Sequence, residues 1–323
     1  MATTGMPRRL FIKRSALLVA VASSGSILVA CGDGNGGATG DDGSPGAGDG
    51  SPGADDGAAA AGGTLERARE QGFIRVGFAQ EVPYGFANEA GELTGEAPEV
   101  ARVVLERLGI AELDGVLTEF GSLISGLQAN RFDIIAAGMF ITPERCEQIL
   151  FSAPDYCATQ AFAVQSGNPL DLNSYEDVAS NPEARLGVLG GAVEEGYALD
   201  TGVAESQLQV FPDPPSGIEG LQAGRIDAFA LTGISIRNLL ETFGGDLELA
   251  GPFIPVIDGE EQLGCGAYGF RIGDEEFRDA FNEELNGMLE EGDVAPIVEP
   301  FGFGEEEVEA ALGTTTQEQC GEP

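Results

Sequence analysis

The stretch VLTEFGSLISGLQANRFDIIAA, residues 116–137, recurs 94 positions later without a gap as VFPDPPSGIEGLQAGRIDAFAL, residues 210–231. The shared core is Leu-Gln-Ala-x-Arg-x-Asp-x-x-Ala, which reads as the end of a helix, a turn and a buried strand. A chain that holds this joint twice contains two similar α/β units. Open α/β sheets bind ligands beyond the carboxyl ends of their strands. Two such units facing one another make a cleft.

Working outward from the repeat, the folded region begins near Thr64. Residues 64–69 read as a short capped helix, 74–78 as a strand, and Gly95–Leu108 as a helix patterned through Val100, Val103, Val104 and Leu108. Strand and helix patterns keep alternating, the mark of an α/β architecture. Ahead of Thr64 lies an address. Arg8-Arg9-Leu10-Phe11-Ile12-Lys13 resembles a twin-arginine export motif, with Pro7 where Ser or Thr is usual. The apolar run from Ala16 to Ala30 is short and broken by Ser and Gly, which suits a signal segment better than a membrane span. It ends in Leu28-Val29-Ala30-Cys31, which resembles the lipobox of bacterial lipoproteins and implies a lipid on Cys31. Residues 31–63, rich in Gly and Asp without apolar periodicity, read as a flexible tether.

Charge excludes one class of partner. The chain has no His, its only lysine is Lys13, and the part after Ala30 carries 12 basic against 54 acidic residues, a net −42. Phosphate binding needs the opposite sign, so nucleic acid is excluded. Self-repulsion on this scale destabilises a compact state unless salt screens it, and points to a saline medium.

The segment Gly138-Met-Phe-Ile-Thr-Pro-Glu-Arg-Cys146 carries the chemistry. Thr142, Pro143 and Glu144 form a helix start. Arg145 then sits in the first turn, where the exposed N–H dipoles disfavour a cation. An anion arriving at that point would explain it. With Glu119–Ile124, Phe151-Ser152, Leu186–Gly191 and Ala267–Phe270, this block resembles the polar-solute-binding proteins of ABC importers, from about Thr64 to the C-terminus. Residues 117–146 resemble most narrowly the ectoine- and hydroxyectoine-binding members, including the cysteine after the arginine.

The resemblance implies a two-lobed periplasmic-binding-protein type 2 fold, with ligand in the interlobe cleft and two hinge strands near Asp155–Ala158 and Cys265–Tyr268. Lobe 1 would comprise residues 64–157 and 265–323, and lobe 2 residues 158–264. Arg145 would grip a ligand carboxylate, its planar fork suiting that group. Gly191 and Val193, in the loop before the helix at Glu194, would add backbone N–H groups. Val193 departs from the family's usual Ser or Thr there. Thr232 stands where amino-acid binders carry an acid for the ligand's ammonium, which argues against a primary amine because an unpaired buried cation is costly. Tyr84, Phe120 and Phe140, all at strand ends, would form an aromatic cage for a delocalised cation, with Glu81 accepting its N–H bonds.

Four cysteines remain after Cys31, an even number in an oxidising location. Cys146 is expected to pair with Cys157. Cys265 is expected to pair with Cys320, tying the second hinge to the tail as in glutamate-receptor ligand domains of related fold. No C-x-x-C motif and no His occur, which argues against redox catalysis and against a metal. The expectation is therefore a monomeric, lipid-anchored extracytoplasmic binder of a small zwitterion. It would need no cofactor and would deliver its solute to an ABC permease and ATPase. The alternatives are a polar amino acid or betaine as ligand, a sensor, or a periplasmic dehydratase-like enzyme using Glu81.

Overall fold

The computed structural model describes residues 63–321. The export signal at 1–30, Cys31 and the tether up to residue 62 lie outside the described residues.

Two mixed sheets organise the chain into two lobes. The first runs in the order Glu112–Leu117, Phe73–Phe78, Ile134–Phe140, Gly264–Phe270, Leu150–Phe151, and Tyr156–Ala158 also pairs with Gly264–Phe270. The second runs Leu208–Phe211, Leu186–Leu189, Ala228–Thr232, Gln160–Gln165, Leu247–Phe253. In each sheet the first three strands are parallel and the fourth is antiparallel to its neighbours. The central strands Ile134–Phe140 and Ala228–Thr232 are almost wholly buried, and both read as unbroken apolar runs, as strands covered on two faces do.

The sequence repeat occupies equivalent places in the two lobes. Residues 116–137 cover the end of the Glu112–Leu117 strand, the helix Leu123–Gln128 and the start of Ile134–Phe140. Residues 210–231 cover the end of Leu208–Phe211, the helix Pro214–Gln222 and Ala228–Thr232. The repeated aspartate has one job in both. Asp133 Oδ2 accepts from the backbone N of Arg75 (3.3 Å) and its Nε (3.0 Å) on the adjacent strand. Asp227 Oδ2 accepts from the N of Arg185 (2.9 Å) and its Nε (3.0 Å). The repeated Leu127 and Leu221 are fully buried beneath their helices.

Residue 159 and the segment between Phe253 and Gly264 carry the chain between the sheets. There Tyr156–Ala158 and the start of Gly264–Phe270 lie side by side, with Cys157 opposite Cys265. This register overturns the expected disulfides. Cys157 bonds Cys265, their Cα atoms 4.0 Å apart, and Cys146 bonds Cys320. Directly opposed residues on neighbouring strands are within bridging reach. The C-terminal helix Thr316–Gln319 docks instead beside the Pro143–Cys146 turn, held by Thr316 Oγ1 donating to Ser152 O (2.6 Å).

Candidate functional site

A cavity of about 30 Å³ lies between the lobes where the central strands end. Glu81, Tyr84, Phe120, Phe140 and Arg145 line it from the first lobe, and Val193 and Thr232 from the second. Gly191, grouped with them in the sequence, stands just outside. Its φ of +79° and its close approach to Gly121 of the facing lobe leave no room for a side chain.

The Arg145 turn forms as its sequence dictates. Thr142 is extended and its Oγ1 accepts from Arg145 N at 3.3 Å, with Pro143 at the first helical position. The guanidinium then points inward. It donates from Nη1 to Phe140 O (2.6 Å) and from Nη2 to Gly191 O (2.9 Å), and is 8% exposed. Gly191 therefore faces the arginine with a carbonyl, not with the N–H donor expected of that loop. The Phe120 ring lies 5.6 Å from Arg145 Cζ, so part of its face serves the protein's own cation. Burial pushes the arginine's pKa down, and the charge of Glu194 opposes this most.

Glu194 is the residue that sequence reasoning missed. It lies in the first turn of the helix Val193–Asp200, is 2% exposed and lines the same cavity. With its amide nitrogen turned toward them, Gln160 donates to Glu194 Oε1 (3.0 Å) and Leu231 O (3.2 Å). Glu194 Oε2 is buried without a partner. Burial raises this carboxyl to about 8, helped by the charge of Glu81 and opposed by a backbone hydrogen bond and Arg145. Glu81 accepts from Ser235 Oγ at 2.8 Å, and burial raises it to about 7 against that bond. Thr232 is therefore not alone on the second-lobe wall, where Glu194 places a buried carboxyl beside it.

Thr232 closes the second-lobe strand and caps the helix Gly233–Phe243, accepting from Ser235 N (3.2 Å). It also accepts from Tyr84 Oη at 2.9 Å across the cleft. Tyr84 is backed by Tyr156 and Phe303, each with ring centroids 5.3 Å away, and Phe140 lies 6.1 Å from Tyr156. The aromatic wall is thus deeper than the three rings read from the sequence. In this closed arrangement the cavity has room for about a water molecule, so a solute requires the lobes to part.

A two-lobed α/β clamp with charged groups at the strand ends of both lobes is the architecture of a solute-binding protein. Residues 74–305 match the bacterial extracellular solute-binding proteins, family 3, and the chain belongs to that family. It is 36% identical over 260 residues, 80% of this chain and 86% of the other, to a probable amino-acid ABC transporter periplasmic-binding protein, y4tE, of Sinorhizobium fredii. It is 25% identical over 244 residues, 75% of this chain and 86% of the other, to the L-cystine-binding protein TcyJ of Escherichia coli. Among solved structures, EhuB in complex with hydroxyectoine shares 42% identity at a TM-score of 0.73, covering 79% of this chain and 97% of that one. An ancestral amino-acid-binding protein described as a precursor of cyclohexadienyl dehydratase shares the fold, at 24% identity and a TM-score of 0.64 over 74% of this chain and 99% of that one.

Proposed function

We propose that this protein is the extracytoplasmic binding component of an ABC importer for ectoine or hydroxyectoine. The observation that carries the reading is the composition of one cavity wall: a buried guanidinium, two buried carboxyls and three aromatic rings. Arg145 would take the solute's carboxylate, a charge-assisted contact that contributes about 1.5–3 kcal/mol. The rings of Tyr84 and Phe140, with the free face of Phe120, suit a weakly hydrated, delocalised cation. Glu81 would accept that cation's N–H bonds. The likeness to EhuB, determined with hydroxyectoine, supports the same chemistry.

Calorimetry against ectoine, hydroxyectoine, glycine betaine, glutamine and arginine tests it. Ectoine and hydroxyectoine are expected to bind at micromolar level or tighter, and glycine betaine far more weakly because its cation offers no N–H donor. Arg145→Ala should cost about 2–3 kcal/mol of binding. Tight glutamine binding with no heat from ectoine would overturn the assignment. We also read residues 1–30 as an export signal and Cys31 as a lipid anchor. Labelled palmitate should tag the wild type and spare Cys31→Ser.

A dehydratase-like activity is favoured by one observation, the Glu81 carboxyl at about 7, poised for proton transfer. Recovery of each panel solute unchanged after long incubation would dismiss it.

A further inference from the structure

Arg145 stands in a turn of only four residues, Pro143–Cys146, and Cys146 directly follows it. A helix this short is not stable by itself, so its direction is set from outside. The guanidinium is aimed by Phe140 O (2.6 Å) and by Gly191 O (2.9 Å). Gly191 belongs to the second lobe, so that bond is lost when the lobes part to admit a solute. The turn alone must then present Arg145. Beside it docks the C-terminal helix Thr316–Gln319, which buries no residue of its own. Core packing therefore does not account for that helix. It is tied down by the Cys146–Cys320 bond and by Thr316 Oγ1 donating to Ser152 O at 2.6 Å. Both cysteines lie against the apolar cluster that includes Ile141 and Ile149, the residues that bracket the turn.

We propose that the Cys146–Cys320 disulfide is a positioning element for Arg145, and that a dithiol able to open it weakens solute capture, so that binding follows the redox state of the surroundings. The proposal rests on the reading of this cavity as the solute site. Arg145 and Cys146 share a peptide bond, so freeing the Cys146 sulfur loosens the turn that carries the guanidinium. An arginine with more orientations in the open protein loses more of them on binding, and affinity falls by that cost.

The two disulfides differ in access. Cys157 and Cys265 face each other on neighbouring strands and are 3% and 1% exposed, whereas Cys146 and Cys320 are half-buried. Thiol–disulfide exchange requires a thiolate to reach a sulfur, so a dithiol opens the outer bond first. The dithiol supplies two electrons and two protons. The sulfur–sulfur bond becomes two thiols, and the dithiol closes to its own disulfide. Cys146 and Cys320 are 174 residues apart in sequence, so opening their bond also lowers overall stability by freeing a long loop of the unfolded chain. That effect does not pass through Arg145 and has a different signature.

The test is calorimetry of the full chain, oxidised and after mild dithiothreitol treatment, with ectoine, hydroxyectoine, glutamine and arginine. Peptide mapping after alkylation should place label on Cys146 and Cys320 and none on Cys157 or Cys265; the reverse pattern overturns the proposal. Reduction should weaken the tightest-bound solute at least tenfold, at a temperature where both forms are folded. Cys146→Ser/Cys320→Ser should show the same loss without reductant and no further loss with it. Linkage adds a readout that a merely structural cross-link would not move. If reduction costs tenfold in affinity, saturating solute makes the disulfide tenfold harder to reduce, a fall of about 30 mV in its reduction potential. A lower melting temperature with unchanged affinity and no shift in potential overturns the proposal, as does a protein that binds none of the four solutes. The same loss for glutamine or arginine, with no heat from ectoine, would sink the ectoine reading alone and leave the positioning role standing.

Discussion

Tyr84 Oη donates to Thr232 Oγ1 at 2.9 Å, joining the two lobes through a buried hydrogen bond in the wall of the interlobe cavity. Two further bonds cross the same gap, Ser235 Oγ to Glu81 Oε1 and Arg145 Nη2 to Gly191 O. Together they hold the lobes around a cavity of only about 30 Å³. A solute must replace these contacts with its own, so its affinity is set against the closed state as well as against water.

Tyr84→Phe should therefore shift the ligand-free protein toward the open form. A buried hydrogen bond of this kind contributes about 0.5–1.5 kcal/mol, enough for a several-fold population change. Small-angle scattering should show a larger radius of gyration for ligand-free Tyr84→Phe than for wild type, and the same value once both are loaded. Identical ligand-free curves would mean that Tyr84 does not latch the lobes.

The repeated aspartates offer an internal control on stability. Asp133 is mostly buried and accepts from Arg67, Arg75 and Arg271. Burial pushes its carboxyl up, but the hydrogen bond and charge of Arg75, with Arg67 and Arg271, bring it below the usual range. Asp227 faces one exposed arginine, Arg185. Asp133→Ala should cost about 2–4 kcal/mol by leaving guanidiniums uncompensated, and Asp227→Ala about 1 kcal/mol or less. Urea unfolding of the two variants checks the order; equal losses would refute it.

How far the sequence carried depended on whether a feature was local. The helix–turn–strand joint at Leu127–Ala136 and Leu221–Ala230 is written in consecutive residues, so the two-lobed fold followed from it. The Thr142–Arg145 turn is equally local, and it formed with its cap and inward arginine. Glu194 was illegible because a first-turn glutamate is what any solvated helix start would show. Only the fold of the second lobe sets it against Gln160, 34 positions earlier in the sequence, and in the cavity wall. The disulfides failed for a related reason: Cys157 and Cys265 are 108 residues apart, and only strand register sets them opposite one another.

Salt should stabilise the fold. The part after Ala30 carries a net −42, and raising salt from 0.1 M to 1 M shortens the screening length from about 10 Å to about 3 Å. The melting temperature should rise by several degrees over that range in calorimetric scans. Affinity for solute should change less, because the closed cleft is poorly screened. A flat melting temperature would remove the argument for a saline habitat.

The ligand-free protein should also be more stable at pH 5 than at pH 8, because of two sets of buried acids. Besides Glu81 and Glu194, the first lobe buries Glu96 and Asp155 together, with Tyr268 Oη donating to Asp155 Oδ2 at 2.7 Å. Neither Glu96 oxygen has another partner, and burial with the neighbouring Asp155 raises its pKa well above the carboxylate range. The pair therefore retains a proton that the unfolded chain would release. A carboxyl whose pKa is higher folded than unfolded means the folded state binds more protons. Its contribution is then full below about 4 and is lost as pH climbs toward the folded value. Asp133 acts in the opposite sense, but its lowered carboxyl titrates below this window. Unfolding free energy from denaturant curves should thus fall by roughly 2–4 kcal/mol between pH 5 and pH 8. Glu96→Gln keeps a hydrogen-bond donor beside Asp155 without a charge, so it should raise stability at pH 8 and flatten the profile. A wild-type curve that rises from pH 5 to pH 8, or a Glu96→Gln curve parallel to it, would show that the pair does not hold its proton.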